Sequence, residues 1–278
     1  MLNDAELEQY IVRLGFSPWA ADYIRNARIQ SPSREVGGGE ASMTVVWVSD
    51  EKMPFTQDLE SRTHELVFAR MQDADPGVLE IWAQPPPIRV FALDKTGRRA
   101  GHWYTPDFLT LYVHRCALAE IKKTSALHKL IEEKPDQWEF IDKRWHYLPA
   151  EVAASEIGIP HETYSTDDLN PILARNFLFL RDYREAPDSA LTRNVIEALR
   201  QAVSTPEGVL ISHLLRPRGA FDADAIYLAI AKSLIFAAVL DQDLSDTARC
   251  RVFSDRSAYE LYKLCVAESQ QLYGRQVH

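Results

Sequence analysis

A chain of 278 residues, 46% apolar and 26% charged, can bury enough core to fold without staples, as one large domain or two modest ones. Its three cysteines, Cys116, Cys250 and Cys265, are too few and too scattered for a disulfide framework or a zinc site, which points to a reducing cytoplasm. A formal charge of −9 argues against strong unaided binding of nucleic acid, because such binding draws on Lys and Arg.

Residues 1–9 are acidic and not basic-then-apolar, so no signal peptide is expected. The longest apolar stretch, at 233–240, is too short to span a bilayer and reads as a buried helix. Residues 4–29 predict helix, with Ser17-Pro18-Trp19 as a Ser cap followed by Pro at the first helical position. Ser31-Pro32 and Gly37-Gly38-Gly39 mark a loop. Residues 43–48, rich in β-branched and aromatic side chains, predict a strand. Residues 56–72 predict a helix with Leu59, Leu66, Val67 and Arg70 on one stripe, and 78–84 a short strand. Residues 88–93 and 101–104 flank Asp94-Lys95-Thr96-Gly97 as a hairpin. A second hairpin pairs 108–114 with 117–122, followed by a helix at 125–133. Further elements are expected within 138–148 and 162–164, and a helix over 170–183.

The polar stretch from Arg184 to Ser189, with Pro187 inside it, predicts a domain boundary. The expected layout is an N-terminal extension (1–55), an α+β domain (56–186) and a mainly helical C-terminal domain (187–278). In the last, helices are expected at 190–203, 205–215 and 222–240, then a strand at 249–254 and a helix at 257–273. Three helices followed by a β-element is the order of a winged helix-turn-helix, with 222–240 in the recognition position.

Charge is distributed unevenly. Residues 1–60 carry 10 acids against 5 bases and residues 151–190 carry 8 against 3, but residues 86–150 carry 8 against 11. The basic excess surrounds the stretch Y-T-P-D-F-L-T-L-Y-V-H-R-C-A-L-A-E-I-K-K from Tyr104 to Lys123. This is the pattern P-D-x(n)-E-x-K found in a large class of metal-dependent nucleases. In a strand, alternate side chains share a face, so Glu120 and Lys122 point together while Ile121 enters the core. A hairpin brings Asp107 beside them. Two carboxylates can then hold a hard divalent cation, and the ammonium can orient a water for attack on phosphate. Pro-Asp pairs are also common in turns, and Lys122 could simply pair with Glu120 across the strand face. Yet a carboxylate in an apolar strand needs a partner or a metal. Glu65, on the preceding helix, is the further acid that such nucleases use, although most helix glutamates face solvent. Gln84 could orient a phosphate or a water, or make a strand-end hydrogen bond. His102 and His114 read as ordinary strand histidines. Lys123 sits on the opposite face from Lys122, in a solvated or phosphate-contacting position.

The order S-R-T-H-E-L-V-F, V-L-E-I-W-A-Q-P, T-P-D-F-L, A-E-I-K-K resembles the TnsA endonuclease subunit of heteromeric, Tn7-like bacterial transposases, over about residues 31–183. The resemblance implies a restriction-endonuclease-like PD-(D/E)xK core and a C-terminal winged-helix domain. It implies hydrolysis of the 5′ strands at transposon ends, beside a DDE-type transposase that cuts the 3′ strands and an AAA+ ATPase regulator that chooses the target. Residue by residue, Glu65 matches the helix acid, Asp107 the central metal-binding acid and Lys122 the catalytic lysine. Glu120 falls where some members have Gln. The first fifty residues are longer than the minimal fold, and the C-terminal domain matches only in outline.

The expected activity is thus that of a Mg²⁺- or Mn²⁺-dependent DNA endonuclease. Asp107, Glu120, the Ile121 carbonyl and Glu65 would hold metal, and Lys122 would serve the attacking water or the transition-state charge. The same nuclease could serve a defence system, and the rival without catalysis is a DNA- or partner-binding scaffold with a decayed site. No membrane partner is expected.

Overall fold

The structure is a computed structural model that describes residues 1–29, 45–48, 52–53, 56–59, 64–93, 96–217 and 219–274. It has two compact units, Met1–Asn170 and Pro171–His278.

The first unit opens with α1 (Asp4–Leu14) and α2 (Pro18–Ile29). Asn3 and Glu6 close a reciprocal capping box on α1, and Gly15 ends the helix in the left-handed region at φ 65°, where a residue without Cβ carries no steric cost. The Ser17 hydroxyl accepts the Ala20 N–H at 3.1 Å, the cap expected for α2. Strands β1 (Val45–Val48) and β2 (Thr56–Leu59) pair antiparallel. Then come α3 (Glu65–Ala74), β3 (Val78–Ala83), and a separate two-stranded sheet of β4 (Ile88–Leu93) and β5 (Arg99–Tyr104). Strands β6 (Phe108–Tyr112) and β7 (Cys116–Lys122) form the second hairpin, followed by α4 (Thr124–Glu133), β8 (Trp138–Ile141), β9 (Arg144–Tyr147), α5 (Leu148–Ile157) and β10 (His161–Ser165).

Six strands make one mixed sheet in the order β3-β6-β7-β10-β9-β8. Its only parallel pair is β7 with β10; the connection between them runs through α4, the β8–β9 hairpin and α5. Strand β7, central and buried at every position but its last, reads as an apolar run because both faces are covered. The fold of this unit is mixed α+β with a mixed sheet.

Three expectations change here. Residues 56–72 are not one helix: 56–59 is a strand paired with β1, and the helix starts at Glu65. Residues 1–29 are not a separate extension, because Leu7, Tyr10, Ile11, Ala20 and Ile24 lie in the same core as Phe68, Ile81, Phe108 and Leu118. Finally, the chain divides at 170/171 and not near 186. Asn176 donates to the carbonyls of Val239 and Gln242 and accepts the Leu244 N–H, so α6 (Pro171–Phe179) and α7 (Arg181–Glu185) belong to the second unit. The expected loop at 31–39 lies outside the described residues.

The second unit continues with α8 (Arg193–Ala202), β11 (Val209–Leu210), α9 (Ile211–Leu214), α10 (Ala223–Ala231), β12 (Phe236–Ala237), β13 (Arg251–Phe253) and α11 (Arg256–Gly274). Its three short strands form a sheet in the order β11-β13-β12. The helices expected at 205–215 and 222–240 are shorter. Ser233 takes a positive φ of 56°, which ends helical geometry for an L-residue, and the chain after it pairs with β13. Its core gathers Leu199, Val203, Ile211, Ile226, Leu244 and Val252. Among the described residues no helix is long and apolar enough to cross a membrane.

Candidate active site

The β6–β7 hairpin sets the geometry. Phe108 lies opposite Ala119, so β6 ends while β7 runs on through Glu120, Ile121 and Lys122. The Leu118 N–H donates to the Pro160 carbonyl at 2.8 Å, which turns the even-numbered amides of β7 toward β10. Ile121 therefore faces the opposite edge, where no strand continues. There the Asp107 side chain takes the strand's place: its Oδ2 accepts the Ile121 N–H at 2.6 Å. A strand residue presents its N–H and C=O on one edge, so the Ile121 carbonyl faces the same side. Asp107 is held in turn by its own carbonyl, which accepts the Gln84 N–H at 2.8 Å. Gln84 is buried at the end of β3 with φ 48°, a backbone state that costs a non-glycine residue about 1 kcal/mol or more.

On the other face, Glu120 is buried and both its oxygens are engaged. The Lys122 ammonium forms a close ion pair with Oε1, and the Tyr104 hydroxyl donates to Oε2 at 2.6 Å. Tyr104 Oη also lies 2.9 Å from His161 Nε2. The phenol has one proton, and Glu120 takes it, so His161 must donate from Nε2. That leaves Nδ1 as the bare lone pair, buried and without a hydrogen-bond partner. Burial first and the Lys122 charge second depress the His161 pKa to about 3. Tyr147 meets Tyr104 edge-on at 5.4 Å and stacks on Trp138 at 4.4 Å, walling this side of the site. The Lys122 ammonium lies 5.9 Å from the centre of the Trp138 ring.

The electrostatics bind these residues together. Burial raises the Asp107 pKa well above the usual carboxylate value, and the charges of Glu120 and Glu65 push it further up. The Ile121 N–H and Lys122 oppose them. Glu65 therefore belongs to the cluster: buried at the first turn of α3, it lies within charge range of Asp107. Phe68, packed on Phe108 at 5.2 Å and Tyr164 at 5.0 Å, seats that helix on the Ile121 face of the sheet. For Lys122, burial disfavours the charge, but Glu120 and Asp107 outweigh it and the pKa rises. The ammonium thus stays protonated, which suits it to binding an anion and not to accepting a proton.

Of the four expected side chains, Asp107 lies within charge range of Glu65, Glu120 and Lys122, and Lys122 pairs with Glu120; Glu65 comes from the Ile121 face and Glu120 from the other. His102 and His114 stand apart: His102 is exposed on β5 and His114 is exposed in the β6–β7 turn, at the far end of the hairpin from Asp107. No protein-family model and no curated protein matches this chain. Tyr104, His161, Tyr147 and Trp138 were not legible as site residues in the sequence. Tyr104 alone carried a signal, as a tyrosine two residues before Pro106 on a predicted strand.

Among the described residues, no three His, Cys, Asp or Glu side chains converge into a ready metal cage. The donor chemistry nevertheless fits a hard cation. Burial first and the neighbouring carboxylates second raise the Asp107 pKa, and a divalent ion is the charge that relieves such crowding. The Asp107 carboxylate, one of whose oxygens accepts the Ile121 N–H, and the Ile121 carbonyl supply oxygens of the type that Mg²⁺ or Mn²⁺ takes.

Proposed function

We propose that this chain is a metal-dependent DNA endonuclease, acting as the nuclease subunit of a heteromeric transposase that hydrolyses the 5′ strands at transposon ends. The observation that carries the reading is the Asp107 carboxylate fastened to the Ile121 amide between Glu120 and Lys122. It brings the acid of the P-D turn against the E-x-K strand, the arrangement that phosphodiester hydrolysis by this motif requires. Glu65 at the start of α3 supplies the helix acid.

In this reading Asp107, the Ile121 carbonyl and Glu120 or Glu65 would hold Mg²⁺ or Mn²⁺, which when bound would supply Lewis acidity toward the scissile phosphate and activation of water. The protonated Lys122 orients the attacking water and offsets the negative charge that grows on the phosphate. The Tyr104 hydroxyl holds Glu120 in place, and His161, as a neutral donor, holds Tyr104. Trp138 and Tyr147 keep bulk water from the Glu120 side.

The order α8, β11, α9, α10, then two strands supports a winged-helix-like reading of the second unit. Within α10, residues Ile226 to Ile230 are buried, and the exposed start carries Asp222 and Asp224. This acidic face suits docking onto a protein, such as the DDE-type transposase or the AAA+ regulator, better than entry into a DNA groove.

The experiment is nicking of supercoiled plasmid in Mg²⁺ or Mn²⁺ by wild type and Asp107→Ala, with and without the transposase partner. Cleavage that needs metal and Asp107 supports the nuclease, and dependence on the partner supports transposition. Cleavage that is independent of Asp107, or absent under every condition, overturns the reading.

A further inference from the structure

The β4–β5 hairpin stands apart from the six-stranded sheet, and one of its faces is unusual. Across the register, Arg89 lies opposite Trp103, Phe91 opposite Gly101 and Leu93 opposite Arg99. Alternation puts these six on one face. Phe91 is 46%, Leu93 50% and Trp103 65% exposed, while Ile88 and Val90 on the other face are buried.

Two cations lie over the rings. The Arg99 guanidinium sits 4.5 Å from the centre of Phe91, and that of Arg89 sits 5.4 Å from the centre of Trp103. Gly101 makes this possible. A Cβ there would fall 2.7 Å from the Phe91 ring and 2.9 Å from Arg89 Nε, so a bare glycine lets both side chains lie flat across β5. An aromatic ring over a cross-strand glycine is a known way to stiffen a hairpin, and that accounts for Phe91. It does not account for the two guanidiniums. Among the described residues neither has an ion-pair partner, although Asp136 and Glu156 line the same hollow at the hairpin's edge.

Residues 88–104 carry four Lys or Arg against one Asp in a chain of net charge −9. The residue after Trp103 is Tyr104, which reaches inward to Glu120. The cationic face therefore runs directly away from the candidate active site.

We propose that this face of the β4–β5 hairpin, centred on Arg89, Arg99 and Trp103, is the surface that grips the DNA backbone beside the cleaved bond. The proposal rests on the reading of the chain as a DNA nuclease. The two arginines start from rungs four residues apart, but both side chains turn toward the Phe91–Gly101 rung between them, which sets the two charges closer together than the rungs, as neighbouring phosphates of one strand require. A guanidinium laid on a ring is held in place before binding, so little side-chain freedom is lost when phosphate arrives. The exposed Trp103 offers a sugar or an unpaired base a stacking plane. Net positive charge with unpaired arginines favours this ligand over a protein partner.

The test is fluorescence anisotropy of a labelled duplex in EDTA across a salt series, with the full chain. It compares wild type, Asp107→Ala, Arg89→Ala/Arg99→Ala, Arg89→Lys/Arg99→Lys and Trp103→Ala, each checked for fold by circular dichroism. The double alanine variant should lower the slope of log affinity against log salt by about 2, since each lost phosphate contact removes about 0.9. The double lysine variant should keep most of the slope. Asp107→Ala should bind as wild type does while losing cleavage.

Wild-type affinity and slope in the double alanine variant would overturn the surface. So would wild-type DNA binding combined with lost capture of the transposase partner, which would make the face a protein interface. Failure of the wild-type chain to bind DNA even at low salt also counts against it. The nuclease reading fails separately: a lowered slope in the double alanine variant, with no cleavage by any form in metal, would keep the surface and remove the chemistry.

Discussion

The Asp107 carboxylate accepts the Ile121 amide at 2.6 Å, at the point where β6 stops and the sixth residue of β7 has lost its neighbour. One carboxylate oxygen does the work of a strand, and the Ile121 carbonyl faces the same space. This contact joins fold to chemistry, because it satisfies a backbone donor and at the same time holds a half-buried acid among other acids.

That crowding has a consequence for Asp107→Asn. The wild-type carboxyl has its pKa raised in the fold by burial, Glu120 and Glu65. A carboxyl of raised pKa binds its proton more tightly when folded. Its contribution to stability is therefore complete below the unfolded pKa near 4 and lost as pH rises through the folded value. At pH 7 the charge costs stability, and the amide should remove that cost while its oxygen still accepts the Ile121 N–H. Asp107→Asn is expected to raise Tm at pH 7 in EDTA and to lower cleavage by on the order of 100-fold or more. Even partners of a metal ligand are worth about 10–100-fold. A lower Tm with retained cleavage would contradict both halves.

His161 makes the opposite kind of pH dependence. Its pKa falls to about 3 in the fold, against about 6.5 in the unfolded chain. Between those values the unfolded state binds the extra proton, so stability is complete above pH 6.5 and declines as pH falls toward 3. Each pH unit inside that window costs up to about 1.4 kcal/mol. His161→Gln keeps a donor for Tyr104 without the titration. Urea unfolding at pH 7 and pH 4.5 should show the wild type losing more stability than the variant. Equal losses would mean that His161 does not remain neutral in the fold.

The parts legible in the sequence were those governed by short-range alternation. Glu120, Ile121 and Lys122 sit on a strand with a period of two, so their faces followed from spacing alone, and Asp107 followed from the turn before the hairpin. Residues 56–72 misled because Leu59, Leu66, Val67 and Arg70 match a helical stripe. Pairing of 56–59 with Val45–Val48 outweighs that local pattern, as tertiary context commonly does. The 222–240 stretch failed at one backbone angle, Ser233. Tyr104 and His161 touch across 57 positions of chain, and no local rule reports such a contact. The N-terminal helices looked like an extension because the first fifty residues exceed the minimal fold that the resemblance implies, yet their apolar stripes are buried in the core of the first unit.

Glu80 ties those helices down. It is fully buried and accepts the Leu2 N–H at 2.7 Å and the Trp82 indole N–H at 2.9 Å, with Arg28 Nε at 3.2 Å. Breaking such a pair strands a buried cation and costs about 3–5 kcal/mol. Glu80→Ala should lose that much in urea unfolding, and the N-terminal segment should become the first site of limited proteolysis. A loss below about 1 kcal/mol would mean that the helices are held by their apolar faces alone.

Tyr104 is the sharpest test of how the site is held. Its hydroxyl donates to the Glu120 oxygen that Lys122 does not engage. In Tyr104→Phe that oxygen is left buried without its donor, at a cost of about 1–3 kcal/mol. Glu120 should then swing toward Lys122, its remaining partner, which takes it away from any shared cation. If Glu120 is a metal ligand, the Mn²⁺ concentration needed for half-maximal nicking should rise about 10-fold, the scale on which partners of metal ligands act. Activity at saturating Mn²⁺ should fall much less. If Tyr104 served only the fold, the variant would lose stability while its Mn²⁺ titration stayed on the wild-type curve. A shifted titration together with full rescue at high Mn²⁺ separates a positioning role from a structural one, and it does so without touching any of the four charged residues.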